Sequence, residues 1–137
     1  MRLTTRARYG VRLMADLAQH YSPGPIFLSD ISRRQDVSEK YLSNIVAALK
    51  AAGMVKARRG VRGGYSLAKR PECISLKDIV YVLEKRAHLT GCIHNRRSCP
   101  RSSFCHVRGI WARVEKSFYS SLSSITLRDV NRKCLIK

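Results

Sequence analysis

The chain has 137 residues, 45% of them hydrophobic, and 27 lysines and arginines against 9 acidic side chains, for a net charge of +18. That composition fits one globular domain, or a small domain with an oligomerisation element, and excludes a disordered chain. No apolar run approaches the ~20 residues that span a bilayer, and no apolar signal segment follows Met1-Arg2-Leu3-Thr4-Thr5-Arg6, so a cytoplasmic protein with no membrane role is expected.

The elements read as follows along the chain. Leu13, Leu17 and Tyr21, with Tyr9 and Met14, recur at three- and four-residue spacing and predict a helix over 4–20, ended by Ser22-Pro23-Gly24-Pro25. A short helix follows from about Ser29 to Gln35, then a tight turn at Asp36-Val37. Ser38 has the character of an N-cap for a helix to about Ala52, whose apolar face is Leu42, Ile45, Val46 and Leu49 and which Gly53 closes. Met54 to Arg59 is strand-like, Gly60-Val61-Arg62-Gly63-Gly64 is a turn requiring positive φ, and Tyr65-Ser66-Leu67 is the returning strand. Ser75 and Asp78 make a capping box for a helix to about Lys85. Residues 86–104 lack periodicity. A long helix then runs from about His106 to Ser124, with an apolar stripe of Val107, Ile110, Trp111, Val114, Phe118 and Leu122, and Thr126 to Asp129 opens a last short helix.

Helix, short helix, turn, helix and two-stranded hairpin, in that order, predict a mostly α winged helix-turn-helix with a small two-stranded wing. The non-core positions near the start of the third helix are Ser38, Lys40, Tyr41, Ser43, Asn44 and Lys50. Tyr41 and Asn44 suit base edges; Ser38 and Lys40 suit phosphates. Arg58, Arg59 and Arg62 cluster around glycines in a thin basic turn that fits a narrow minor groove. The charge agrees: +10 falls in residues 1–70 and +8 in 71–137, so the excess is no mere tail, and a polyanion is the expected partner. The long helix is expected to pair two copies, because a Trp and a Phe on one face of a lone helix need covering. The organisation is therefore read as residues 1–85 for DNA binding, 86–105 as a cysteine-rich sensor loop, and 106–137 as a dimerisation helix and tail.

Five cysteines, Cys73, Cys92, Cys99, Cys105 and Cys134, are an odd number that argues against a secreted disulfide scaffold. Cys92, Cys99 and Cys105 lie in a 14-residue span beside Arg96, Arg97 and Arg101, cations that lower thiol pKa values and suit an anionic centre. The spacing is wide for structural zinc, which uses closely paired ligands. A thiol redox switch and an iron–sulfur cluster both remain open on spacing alone. Cys73, between Pro71 and Ile74, is expected to be a small buried residue, and Cys134 adventitious.

These motifs together resemble a family, the bacterial winged-helix regulators that include IscR, NsrR and CymR. The likeness rests on the opening Met1 to Gly10, Ile31-Ser32-Arg33-Arg34-Gln35, Tyr41-Leu42, Arg59 to Leu67, Ile74 to Val80, the cysteine loop and the helix holding Trp111. It extends to about Val130. It implies a homodimer on operator DNA of dyad symmetry and, at Cys92, Cys99 and Cys105, ligands of an iron–sulfur cluster, 2Fe–2S in preference to 4Fe–4S. The family pattern breaks at the fourth ligand: Arg108 stands where IscR-like members carry a His, and Arg8 where NsrR-like members recruit an acid. His106, beside Cys105, ranks first as a substitute and His94 second. Enzyme chemistry has no support, since no nucleophile–base set, paired carboxylates or phosphate loop ahead of a helix is present. A cluster-free regulator of the same fold, using a thiol switch or a partner protein, is the alternative.

Overall fold

A computed structural model describes residues 2–21, 24–85 and 88–132. Cys134 therefore lies outside the described residues. Helix α1 spans Thr5–Gln19, capped by the Thr4 side chain, which accepts from the Ala7 N–H. Ala7, Leu13, Met14 and Leu17 are buried on one face. Tyr21 is not: the helix stops at Gln19, and the ring beyond it is 44% exposed. Helix α2 covers Leu28–Gln35 and ends at Asp36, whose φ of 52° is left-handed. Helix α3, Glu39–Ala51, starts at Ser38, whose hydroxyl accepts from the Tyr41 N–H, and buries Leu42, Ile45, Val46 and Leu49 as expected.

A buried acid joins α1 to α2. Asp16 is 2% exposed. It accepts from Arg34 Nη2 at 2.6 Å, Arg34 Nε at 3.0 Å and Gln35 Nε2 at 3.0 Å. Burial pushes the Asp16 carboxyl upward, but the hydrogen bonds from Arg34 and Gln35 outweigh it and hold the group below its ordinary range. That bidentate clamp holds the end of α2 against α1.

The wing is antiparallel, β1 (Val55–Arg58) on β2 (Gly64–Leu67), with Val55 opposite Leu67 and Arg58 opposite Gly64. Gly60 has φ 107° and Gly64 φ 133°, the positive angles expected; Gly63 lies outside that region, and a Cβ on it would collide with the Arg58 carbonyl. Ile26, directly after the chain breakers Ser22 to Pro25, pairs with Tyr65 through two 2.8 Å backbone hydrogen bonds and anchors β2 of the wing on its other side.

A 3₁₀ turn, Pro71–Cys73, leads to α4, Leu76–Leu83, with its Ser75–Asp78 capping box in place. Cys73 is exposed rather than buried, because the turn points it outward and gives the core position to Ile74. Helix α4 ends two residues early, as Lys85 adopts φ 52°. Gly10 lets α1 and α4 touch: a Cβ there would occupy the place of the Leu83 methyl group. The segment after α4 is not featureless. It contains a helical turn α5, Gly91–His94, and a 3₁₀ turn, Arg96–Ser98. Helix α6, His106–Ser123, follows. Helix α7, Leu127–Asn131, returns to the winged-helix body, where Leu127 is fully buried and Thr126 bridges Ser75. No helix of the described residues is long and apolar enough to cross a membrane.

Candidate functional site

Two regions carry the chemistry. The first is the exposed edge formed by the start of α3 and the wing. Lys40, Ser43 and Asn44 are exposed on α3, as are Arg58, Arg59 and Arg62 in the wing. Ser38 is exposed but its hydroxyl is engaged in capping α3. Tyr41 is half-buried, its ring edge-on to Tyr9 with centroids 5.9 Å apart, so that it anchors the helix start from within. Val61, between Arg59 and Arg62 in the wing turn, is 95% exposed, a feature that no pattern in the sequence marks.

The second region is the cysteine loop. Cys92, Cys99 and Cys105 are free thiols, the first two half-buried and the third exposed at the N-cap of α6. The Thr90 hydroxyl lies 3.2 Å from Cys92 Sγ. His106, the first residue of α6, is exposed. Arg108 ties the loop to the long helix, its guanidinium donating to the carbonyl oxygens of Cys92 at 2.8 Å and Ile93 at 2.9 Å. Three free thiols and an adjoining imidazole in one basic loop are a donor set that suits an iron–sulfur cluster. The thiols are not drawn together; among the described residues, the cluster of ligand atoms within 4.8 Å of one another is His88, His94 and Glu115.

That cluster was invisible in the sequence. Glu115, on the inner face of α6, is 7% exposed. Its Oε1 lies 3.2 Å from His88 Nδ1 and 3.1 Å from His94 Nε2, and its Oε2 accepts from the Leu89 N–H at 2.8 Å. The imidazoles stack with centroids 3.4 Å apart. Burial pushes the Glu115 carboxyl up, but the Leu89 amide and the two imidazoles outweigh it, leaving the group below its usual range. On the outer face of α6, Val107, Ile110, Trp111 and Val114 are 44–56% exposed. The other end of the stripe differs, with Phe118 and Leu122 half-buried within the chain.

Residues 3–133 match the family model Rrf2, described as an iron-dependent transcriptional regulator. The chain belongs to the Rrf2 family. Protein rrf2 of Nitratidesulfovibrio vulgaris is 40% identical over 96% of this chain and 88% of its own length. Among solved structures, the IscR of T. potens is similar at 39% identity and TM-score 0.77, covering 95% of this chain and 85% of that one. CymR, the global cysteine regulator of B. subtilis, has TM-score 0.81 at 31% identity, covering 98% of each chain. As an Rrf2 member the chain is a winged-helix transcriptional regulator, and its relatives are named regulators, not enzymes.

Proposed function

We propose that this Rrf2 regulator is a homodimer that binds an operator of dyad symmetry and senses through an iron–sulfur cluster held by Cys92, Cys99 and Cys105. The carrying observation is that three free thiols share one loop that feeds directly into α6, with Arg108 of that helix gripping the loop at Cys92. In this reading residues 1–85 bind DNA, 86–105 sense, and 106–137 pair the subunits. The start of α3 enters the major groove, where Ser43, Asn44 and the Tyr41 edge meet bases while Ser38 and Lys40 meet phosphates. Arg59 and Arg62 meet the neighbouring minor groove. Two half-sites then lie one helical turn apart.

His106 is the fourth ligand, and imidazole ligation favours 2Fe–2S over 4Fe–4S, for which thiolate sets are usual. When bound, the cluster supplies one-electron redox chemistry. The chain's part is to orient the thiolates, to donate from Thr90 toward Cys92 Sγ, and to surround the anionic centre with Arg96, Arg97 and Arg101. Protein made in iron-replete cells and kept from oxygen is expected to absorb visible light, with iron and sulfide in equal amounts. Serine at Cys92, Cys99 or Cys105 bleaches it, serine at Cys73 does not, and His106→Ala shifts the spectrum and shortens the cluster's lifetime. Cluster loss changes operator affinity by about 5–150-fold, the usual range of site–site coupling. The same free thiols support a second reading, a thiol switch. A wild type that stays colourless on reconstitution, and whose operator affinity responds to thiol oxidants, decides for it.

A further inference from the structure

We propose that His88, His94 and Glu115 form a binding site for a divalent cation of the zinc type, separate from the thiols of the cysteine loop. Three features carry this. The first is spacing: both imidazole nitrogens stand 3.1–3.2 Å from the same carboxylate oxygen. Ligand atoms about 2.0–2.1 Å from a tetrahedral zinc ion are about 3.3 Å from each other, so both nitrogen–oxygen separations match, all three atoms lie within 4.8 Å of one another, and a tilt of the stacked rings would aim both nitrogens at one ion. The second is orientation. The Leu89 N–H holds the far oxygen of Glu115 at 2.8 Å, which fixes the carboxylate and leaves Oε1 to the imidazoles, the kind of outer bond that steadies a metal ligand. The third is access. His88, His94 and Glu115 border a cleft of about 450 Å³, so that the set is closed on its protein side and open to water or an exogenous donor on the other.

Two imidazoles and one carboxylate with an open position form a set that borderline divalent ions accept and that hard ions such as magnesium do not favour. Lys77 and Lys116 also line the cleft. Their charge weakens any purely electrostatic cation site, and this again selects ions that bond strongly to imidazole nitrogen. The site spans three pieces of the chain: the segment after α4, the turn α5 and the middle of α6. An ion there would clamp the cysteine-bearing turn to the long helix at a second point beyond the Arg108 bonds, and so would link metal supply to the position of the sensor loop. This goes beyond the cluster reading and does not depend on it.

Cobalt(II) and zinc titrations of the 137-residue chain test it, in a background where Cys92, Cys99 and Cys105 are all serine, so that the loop thiols cannot contribute. One equivalent of cobalt is expected to give visible d–d bands without thiolate charge transfer, and zinc to displace it. His94→Ala, at a half-exposed ring that the fold tolerates, is expected to weaken binding at least tenfold, and His94→Asp, which restores a ligand atom, to recover part of it. Circular dichroism checks that each variant is folded. Absence of stoichiometric binding in the folded serine background overturns the proposal, as does unchanged affinity in folded His94→Ala. The cluster reading fails separately, by a colourless protein with its cysteines intact.

Discussion

Asp16 shows how one residue shapes the reading head. It is a buried anion whose bonds reach across to α2, and both of its oxygens are occupied by Arg34 and Gln35. Asp16→Ala is expected to cost about 2–3 kcal/mol, as for a buried group hydrogen-bonded to a charge, and to loosen α2 on α1. Urea unfolding at neutral pH measures this. The pH dependence has a definite sign. A carboxyl whose folded pKa lies below its unfolded value of about 3.9 contributes stability that is complete above that value. The contribution is lost as pH falls through the folded pKa, because the unfolded chain takes up the proton first. Wild type should therefore shed this part of its stability below about pH 4, and Asp16→Ala should lack that portion of the acid slope. An identical acid limb in the two proteins would mean that Asp16 is not charged in the fold.

The wing shows what an element demands of its turn. Gly60 and Gly64 both have positive φ, but only Gly64 lies against a neighbouring segment, where a Cβ would run into the Ile26 backbone. Gly60 faces open space. Alanine at Gly60 is expected to add only backbone strain, of order 1 kcal/mol, whereas alanine at Gly64 adds a collision and costs more, with loss of the Ile26–Tyr65 bridge. Paired denaturation curves separate the two, and equal costs would contradict the role given to Ile26. Much of this architecture was legible in the sequence because it obeys local rules. The buried face Leu42, Ile45, Val46 and Leu49, the Ser38 cap and the glycines of the wing each follow from spacing or φ. What escaped was non-local. Ile26 bonds as a single residue in a segment rich in chain breakers. Cys73 has the neighbourhood of a core residue only because Ile74, beside it, is one. Of the sites, the thiols stood out by their spacing, but His88 and His94 meet Glu115 only after the chain has turned back on itself, and no short-range pattern announces that.

At the scale of the molecule, α6 has two different faces. Glu115 and Tyr119 look inward, while Val107, Ile110, Trp111 and Val114 face solvent in the single chain. In the homodimer proposed above, that outer face would be the seam. Ile110→Glu is expected to leave the winged-helix fold intact and to shift the protein to monomers in sedimentation, with operator affinity falling along with it. A monomeric wild type, or a variant that still dimerises, would remove the seam from α6. The return of α7 has a mechanical consequence. Leu127 is locked in the core and Thr126 is bridged to Ser75, so the far end of α6 is fastened to the DNA-reading body, while its near end is fastened to the loop by Arg108. Eighteen residues at 1.5 Å each make a rod about 27 Å long. Held at one end and pushed by about 1 Å at the other, such a rod turns by about 2°. In the regulator proposed above, helix α6 would thus act as a lever with its fulcrum beside the reading head, turning a small rearrangement among the cysteines into a rotation of the surface that meets the operator.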